Sequence, residues 1–223
     1  MQPGMRRATD LALGFLLLIA ALPVMLIAAI LIRLDSRGSV IYRQQRVGLT
    51  GKLFTLFKFR SMRSDAERNG PAWATANDPR VTRVGAFLRA VHIDELPQLF
   101  NVLRGDMSLI GPRPERPHFA AILERELVGF EKRLSIKPGL TGCAQVNCGY
   151  ARSVADAKVK LAYDLFYANH QNWRLDASIL IATIRLVLNA YGAMLRPDRL
   201  VPDEASEHRS HSGLTLVETP RVP

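Results

Sequence analysis

Residues 11–32, LALGFLLLIAALPVMLIAAILI, contain no charged side chain. At ~1.5 Å rise per residue such a run reaches across the ~30 Å hydrocarbon core of a bilayer, so this end of the chain is committed to apolar surroundings. A secretory signal is excluded because the run is too long for its apolar region and lacks a small-x-small cleavage site. Arg33 and Arg37 also follow it directly, so an uncleaved membrane segment is expected. Pro23 sits in its middle, where it removes a backbone donor and predicts a bend. Arginines flank both ends, with Arg6 and Arg7 before and Arg33, Arg37, Arg43 and Arg46 after. Neither cluster favours translocation. Hydropathy alone predicts one span, whereas the proline and the paired arginine clusters predict a re-entrant hairpin bent at Pro23, with residues 1–37 as the anchor.

The remaining length allows one compact domain with a real core. The chain has 30 Lys+Arg against 20 Asp+Glu, a formal charge of +10, which suits an anionic partner such as nucleic acid, an acidic membrane surface or a phosphorylated substrate. Aromatic residues are only 7%, thin for base stacking, and this argues against nucleic acid. Cys143 and Cys148 make neither a disulfide framework nor a zinc site, so a reduced, cytosol-facing domain is expected.

Short β-like runs at residues 40–43 and 52–60 are separated by the turn Gly48-Leu49-Thr50-Gly51. Residues 64–80 read as a polar loop. Val84, Phe87, Leu88 and Val91 fall at helical spacing, a second helix is expected to open at Asp94, and a third follows Pro117 with Phe119, Ile122, Leu123, Leu127 and Phe130 on one side. Two helices close the domain. The last, over residues 173–195, is broken by polar residues too often for a span and should pack in the core or lie at the membrane interface. The expected fold is therefore α+β and mostly helical, with a membrane hairpin, a cytosolic domain at residues 38–196 and a disordered tail at 197–223.

The chemistry concentrates between Asp94 and Glu115, DELPQLFNVLRGDMSLIGPRPE. Acidic residues at a helix start are usually caps. Adjacent helical positions also diverge by ~100°, so Asp94 and Glu95 suit divided roles better than joint chelation. Arg113 lies between Pro112 and Pro114, which bar a helix and present the guanidinium with little entropy to lose, in a fork that matches phosphate oxygens. A surface turn is the alternative. Lys58 and Arg60, two apart, project to one side if the strand holds, either toward this site or as solvated edge charges. Arg89 can approach the acid pair or cover its own helix. Asp176 falls on the apolar side of the last helix, where it needs an arginine or a metal, unless it is an N-terminal cap.

The order of motifs resembles one family. After the apolar hairpin come YRQQRVGLTGKLFTLFKFRSM at residues 42–62, HIDELPQLFNVLRGDMSLIGPRPE at 92–115, KPGLTGCAQVN at 137–147 and NWRLDASIL at 172–180. Together they resemble the bacterial sugar transferases, monotopic phosphoglycosyl transferases, over about residues 5–196. Residues 145–167 look like the exopolysaccharide branch, and the chain looks like a minimal form without the extra membrane helices of larger relatives.

The resemblance implies transfer of sugar-1-phosphate from a UDP-sugar to undecaprenyl phosphate with release of UMP, at the bacterial inner membrane with the catalytic domain facing the cytoplasm. By similarity Asp94 is the nucleophile of a phosphosugar–enzyme intermediate and Glu95 its partner near Mg2+. Arg113 is then a phosphate or nucleotide contact, and Lys58, Arg60, Arg89 and Asp176 are charged positions of the same site. Implied partners are the donor, the polyprenyl acceptor and membrane lipids, with no nucleic acid and a homodimer left open. Two departures stand out: Leu22 precedes Pro23 where relatives often carry serine, and Cys143 and Cys148 replace other residues. A tethered nucleic-acid binder, a phosphodiesterase using water and a structural lipid-binding module are the competing classes. None of them accounts for both the acid pair and the run of motifs.

Overall fold

The computed structural model describes residues 3–68, 70, 78–148 and 153–194. The expected tail lies outside them, as does much of the polar loop after residue 68. The first element, α1 (Pro3–Asp35), is one helix that continues through Pro23. Its inward residues recur every three or four positions: Asp10, Gly14, Met25, Ala28 and Ile32 are buried, with Leu18 and Ala21 partly so between them. This is the seam of a helix docked along its length. The other faces are apolar and open, with Phe15, Leu16, Ile19, Leu26, Ile27 and Ile30 each more than half exposed.

Both ends of α1 are tied to the same body. Arg7 donates to the carbonyls of Val102 and Leu103 at 2.7 Å each, and Asp10 accepts from Ser108 Oγ and Leu109 N at 2.9 Å. At the other end Arg60 donates to the carbonyls of Ser36 and Arg37, supplying the cation that helix C-termini favour.

The β1 (Ile41–Val47) and β2 (Leu53–Phe59) strands form an antiparallel hairpin, Ile41 opposite Phe59 and Val47 opposite Leu53. Its turn needs left-handed backbone at Thr50 and Gly51. The short helix α2 (Arg83–Ala90), capped by Thr82, leads into a 3-10 turn at Ile93–Glu95. The regular helix expected from Asp94 starts only at α3 (Gln98–Arg104). Pro97 explains the delay, since its missing N–H suits a helix entry. Strands β3 (Ser108–Ile110) and β4 (Gly139–Thr141) pair in parallel.

Between them lie α4 (Pro117–Glu126) and a 3-10 turn at Phe130–Ser135, split by left-handed Gly129, so the single helix expected there is two pieces. The chain finishes with α5 (Cys143–Asn147), α6 (Val154–Asn169) and α7 (Trp173–Met194). A central cluster joins Leu56, Leu99, Met107, Ile110, Tyr167 and Ile179, and a second packs Met25, Ala28 and Ile32 of α1 on Phe59, Leu88 and Ile93.

Among the described residues two helices, Gly4–Asp35 and Trp173–Gly192, are long and apolar enough to cross a membrane. The second meets that test despite its polar positions. It buries Leu175 and Ile179 and exposes Ile181, Ile184 and Leu188.

Candidate active site

A 3-10 turn has three residues per revolution, so Ile93 and Leu96 share its inner face. Ile93 is buried in the cluster against α1 and Leu96 packs beside it. With those two as the floor, Asp94 and Glu95 emerge on different sides of the turn. His92, in left-handed backbone at φ 59°, sets the approach. The two carboxylates then meet opposite fates.

Glu95 is bonded by cations on both oxygens. Its Oε1 accepts from Lys58 Nζ at 2.9 Å and from Arg113 Nη2, while Oε2 accepts from Arg113 Nη1 at 3.1 Å. Burial opposes its charge, but Arg113 and Lys58 outweigh that and hold the carboxyl well below its usual range. Asp94 is 6% exposed, and among the described residues its carboxylate has no hydrogen-bond partner. Burial raises its pKa, Lys58 opposes the rise, Glu95 adds to it, and Arg113 and Arg89 lower it from further off. One acid is thus locked ionised and the other is left unclaimed. The two neighbours therefore sit in different electrostatic environments.

Lys58 comes from the end of β2, opposite Tyr42 in the hairpin, and burial pulls its ammonium down against the pull of Glu95. Arg113 comes from the loop between β3 and α4. Gly139 lets β4 pass close to that loop, because a Cβ there would sit 2.1 Å from Gly111 N. Arg89, near the end of α2, borders the same space. The cleft they share measures about 440 Å³ and extends from Asp94 and Lys58 to Gln145 and Lys160. Its far wall is apolar, with Phe119, Leu123, Phe130 and Leu161. Cations outnumber acids along the lining, so the cleft suits a ligand with a phosphorylated part and a less polar part.

Two expected members are used elsewhere. Arg60 borders the cleft, but its guanidinium is committed to the end of α1. Lys58 and Arg60 thus line the same cleft, with only the Lys58 ammonium bonded to the acid pair. Asp176 is not brought to the cleft at all. Its carboxylate accepts from both Arg6 and Tyr167, at 2.9 Å and 2.7 Å, so its required arginine comes from α1. Asn172 supplies the cap of α7 instead, accepting from Leu175 N.

Magnesium takes one or two carboxylates and fills its remaining positions with phosphate and water oxygens. Asp94 offers one such carboxylate. Glu95 keeps one acceptor position on Oε2 beside its bonds to Arg113 and Lys58, and among the described residues no three His, Cys, Asp or Glu cluster as a metal cage. These side chains fit an ion that arrives with a phosphorylated ligand and takes Asp94 as a protein carboxylate.

Residues 1–190 match the family model described as bacterial sugar transferase. The chain belongs to that family. Among similar sugar transferases, a UDP-N-acetylgalactosamine-undecaprenyl-phosphate N-acetylgalactosaminephosphotransferase of Aeromonas hydrophila is 43% identical over 84% of this chain and 44% of its own length. An undecaprenyl-phosphate glucose phosphotransferase of Komagataeibacter xylinus is 42% identical over 81% of the chain and 35% of its own. The chain thus spans less than half the length of these two relatives. An exopolysaccharide production protein of Rhizobium leguminosarum is 40% identical over 81% of the chain and 93% of its own length.

Several residues of this sugar transferase's cleft escaped the sequence reading: Arg46, Arg116, Arg133, Lys160 and Asp164. Arg46 has its pKa lowered to about 10, by burial first and by Arg113 next. Asp164 carried a usable signal, since it lies three residues after Leu161 on the buried stripe of α6 and is itself 3% exposed. The arginines carried none, because an arginine on a strand or loop is ordinary until the cleft is assembled.

Proposed function

We propose that this protein transfers sugar-1-phosphate from a UDP-hexose to undecaprenyl phosphate, as the first membrane step of exopolysaccharide or related glycan assembly. The observation that carries the reading is the contrast inside the acid pair: Asp94, lining a cation-rich cleft, has no hydrogen-bond partner among the described residues, while Glu95 is held by Lys58 and Arg113. In the proposed reaction an Asp94 oxygen attacks the sugar-bearing phosphorus, and the bond to the bridging oxygen breaks. UMP leaves, and a phosphosugar stays on the carboxylate. A phosphate oxygen of the lipid then attacks the same phosphorus, and Asp94 leaves as a free carboxylate.

Arg113, Lys58 and Arg89 neutralise charge on the phosphoryl oxygens as it shifts toward the leaving group. Mg2+ entering with the donor would be held by Asp94 and would supply further charge neutralisation. Burial raises the Asp94 pKa, and the incoming cation favours the ionised form that attacks.

The membrane placement belongs to the same reading. The open apolar faces of α1 meet lipid, and α1 enters and leaves one leaflet so that both tied ends stay with the domain on the cytoplasmic side of the inner membrane. Its N-terminal ties lie at Arg6, Arg7 and Asp10, and the C-terminal one at Arg60. The cleft then lies at the level where a soluble donor and a polyprenyl phosphate head meet.

The test is UMP release by bilayer-embedded protein with a panel of UDP-sugars. Donor alone should give one UMP per enzyme, and undecaprenyl phosphate should make release catalytic. Release of free sugar phosphate without acceptor would assign the cleft to a hydrolase instead.

A further inference from the structure

Four consecutive carbonyls around Arg113 are each held by a donor from elsewhere in the fold. Pro112 O accepts from Gly139 N at 2.9 Å and Glu115 O from Val47 N at 2.9 Å. Between them, Arg113 O accepts from Arg133 Nη2 at 2.7 Å and Pro114 O from Arg46 Nη1 at 3.0 Å. Pro112 and Pro114 carry no N–H, so this stretch has fewer donors of its own with which to pair. Its carbonyls depend on outside groups, and two of those groups are guanidinium side chains.

Arg133 is the more deeply enclosed of the two, 5% exposed, and its partner Asp164 is 3% exposed. Nε lies 2.9 Å and Nη2 2.7 Å from Asp164 Oδ2, and the guanidinium stacks 5.1 Å from the centre of the Phe130 ring. An ion pair shut away like this adds little net stability, because desolvating two charges offsets most of their attraction. Two apolar side chains would fill the same space equally well. They would not donate to the Arg113 carbonyl.

We propose that Arg133, oriented by Asp164, is a positioning residue for Arg113: it fixes the backbone from which that guanidinium reaches the acid pair. Asp164 Oδ2 holds the Nε and Nη2 edge of the Arg133 guanidinium and leaves Nη2 one further proton, which it donates to the Arg113 carbonyl. The consequence for ligand binding rests on the donor reading above. The restraint on the loop does not.

The experiment compares the full chain in lipid nanodiscs with the double variant Arg133→Met/Asp164→Leu, which removes both charges together and so avoids stranding one of them. The melting temperature should hold or rise. Amide exchange over residues 111–116 should quicken while that of α6 is unchanged. Affinity for UDP with Mg2+ should fall about tenfold to a hundredfold, as for a misplaced binding group. In an Arg113→Ala background the same double change should leave the residual UDP affinity untouched, because its effect passes through Arg113.

Equal losses in both backgrounds would make Arg133 a direct ligand contact and overturn the proposal. So would unaltered exchange over 111–116, or a lower melting temperature with UDP affinity per folded molecule unchanged. If the parent chain itself binds no UDP, the donor reading fails, and the exchange measurement alone then decides the positioning role.

Discussion

Arg113 grips Glu95 with both ends of its guanidinium across 18 residues of chain, and Lys58 of β2 closes on the same carboxylate. The neighbouring Asp94 has no such partner among the described residues. Two adjacent acids are therefore chemically distinct before any ligand arrives, and the first predictions concern that distinction.

Asp94→Asn should abolish turnover while leaving a folded protein with an equal or higher melting temperature. The carboxyl's folded pKa is raised, first by burial, so its ionised form is the disfavoured one in the fold and a neutral amide relieves it. Mass spectrometry after incubation with donor alone should find a phosphosugar adduct on Asp94 in the parent and none in the variant. An adduct at any other residue removes the assignment.

Glu95→Gln should be destabilising where Asp94→Asn is not, by roughly 3 kcal/mol, because it strands two largely buried cations. The pH dependence follows from the lowered pKa. The contribution of the cluster is fully present above the unfolded glutamate value of ~4.3 and is lost as pH falls through the lower folded value. Thermal melts from pH 7 to pH 3 should show a steeper acid decline in the parent than in Glu95→Gln. Parallel curves would mean that the three groups are not coupled.

The acid limb of kcat/KM should lie above the ordinary aspartate range and move further up in Lys58→Met. Lys58 is the foremost group lowering the Asp94 pKa, so its removal makes the ionised nucleophile harder to form. A limb that stays in place when Lys58 is lost would assign that ionisation to another group.

Asp176→Asn tests the reassignment of that residue. It should lower the melting temperature by loosening the contact of Arg6 and Tyr167, yet leave UDP affinity as in the parent. Weaker UDP binding would return Asp176 to the ligand site.

Topology is checked by cysteine accessibility. Gly4 is open, with nothing within 4 Å of an added Cβ, so Gly4→Cys in a background free of Cys143 and Cys148 should be well tolerated. In intact cells it should resist an impermeant thiol reagent and react after permeabilisation. Labelling from outside would show α1 to be a true span, while the geometry around Asp94 would stand.

Some of this molecule was written locally. The uncharged run at residues 11–32 needed only its own composition to declare an apolar environment, and Pro112-Arg113-Pro114 only its own backbone chemistry to present an arginine. The acid pair, Lys58 and Arg113 lie in motifs whose order also carried the family, and the fold brings them to one cleft with Arg89. Pro23 was expected to bend α1 into a re-entrant hairpin. The helix stays continuous through it, with its seam packed against the domain on both sides of the proline.

What the sequence could not determine was partner choice. Parity along a strand put Arg60 on the side of Lys58, and both line the cleft, but the carbonyls at the end of α1 took the Arg60 guanidinium. Periodicity correctly placed Asp176 on the buried face of α7, yet only the docking of α1 decided that its cation would be Arg6. Arg46, Arg133 and Asp164 became parts of the site through contacts spanning tens of residues. The physical reason is range: propensity, periodicity and proline act over a few residues, whereas a buried charge takes whichever opposite charge the packed fold brings within ~3 Å of it.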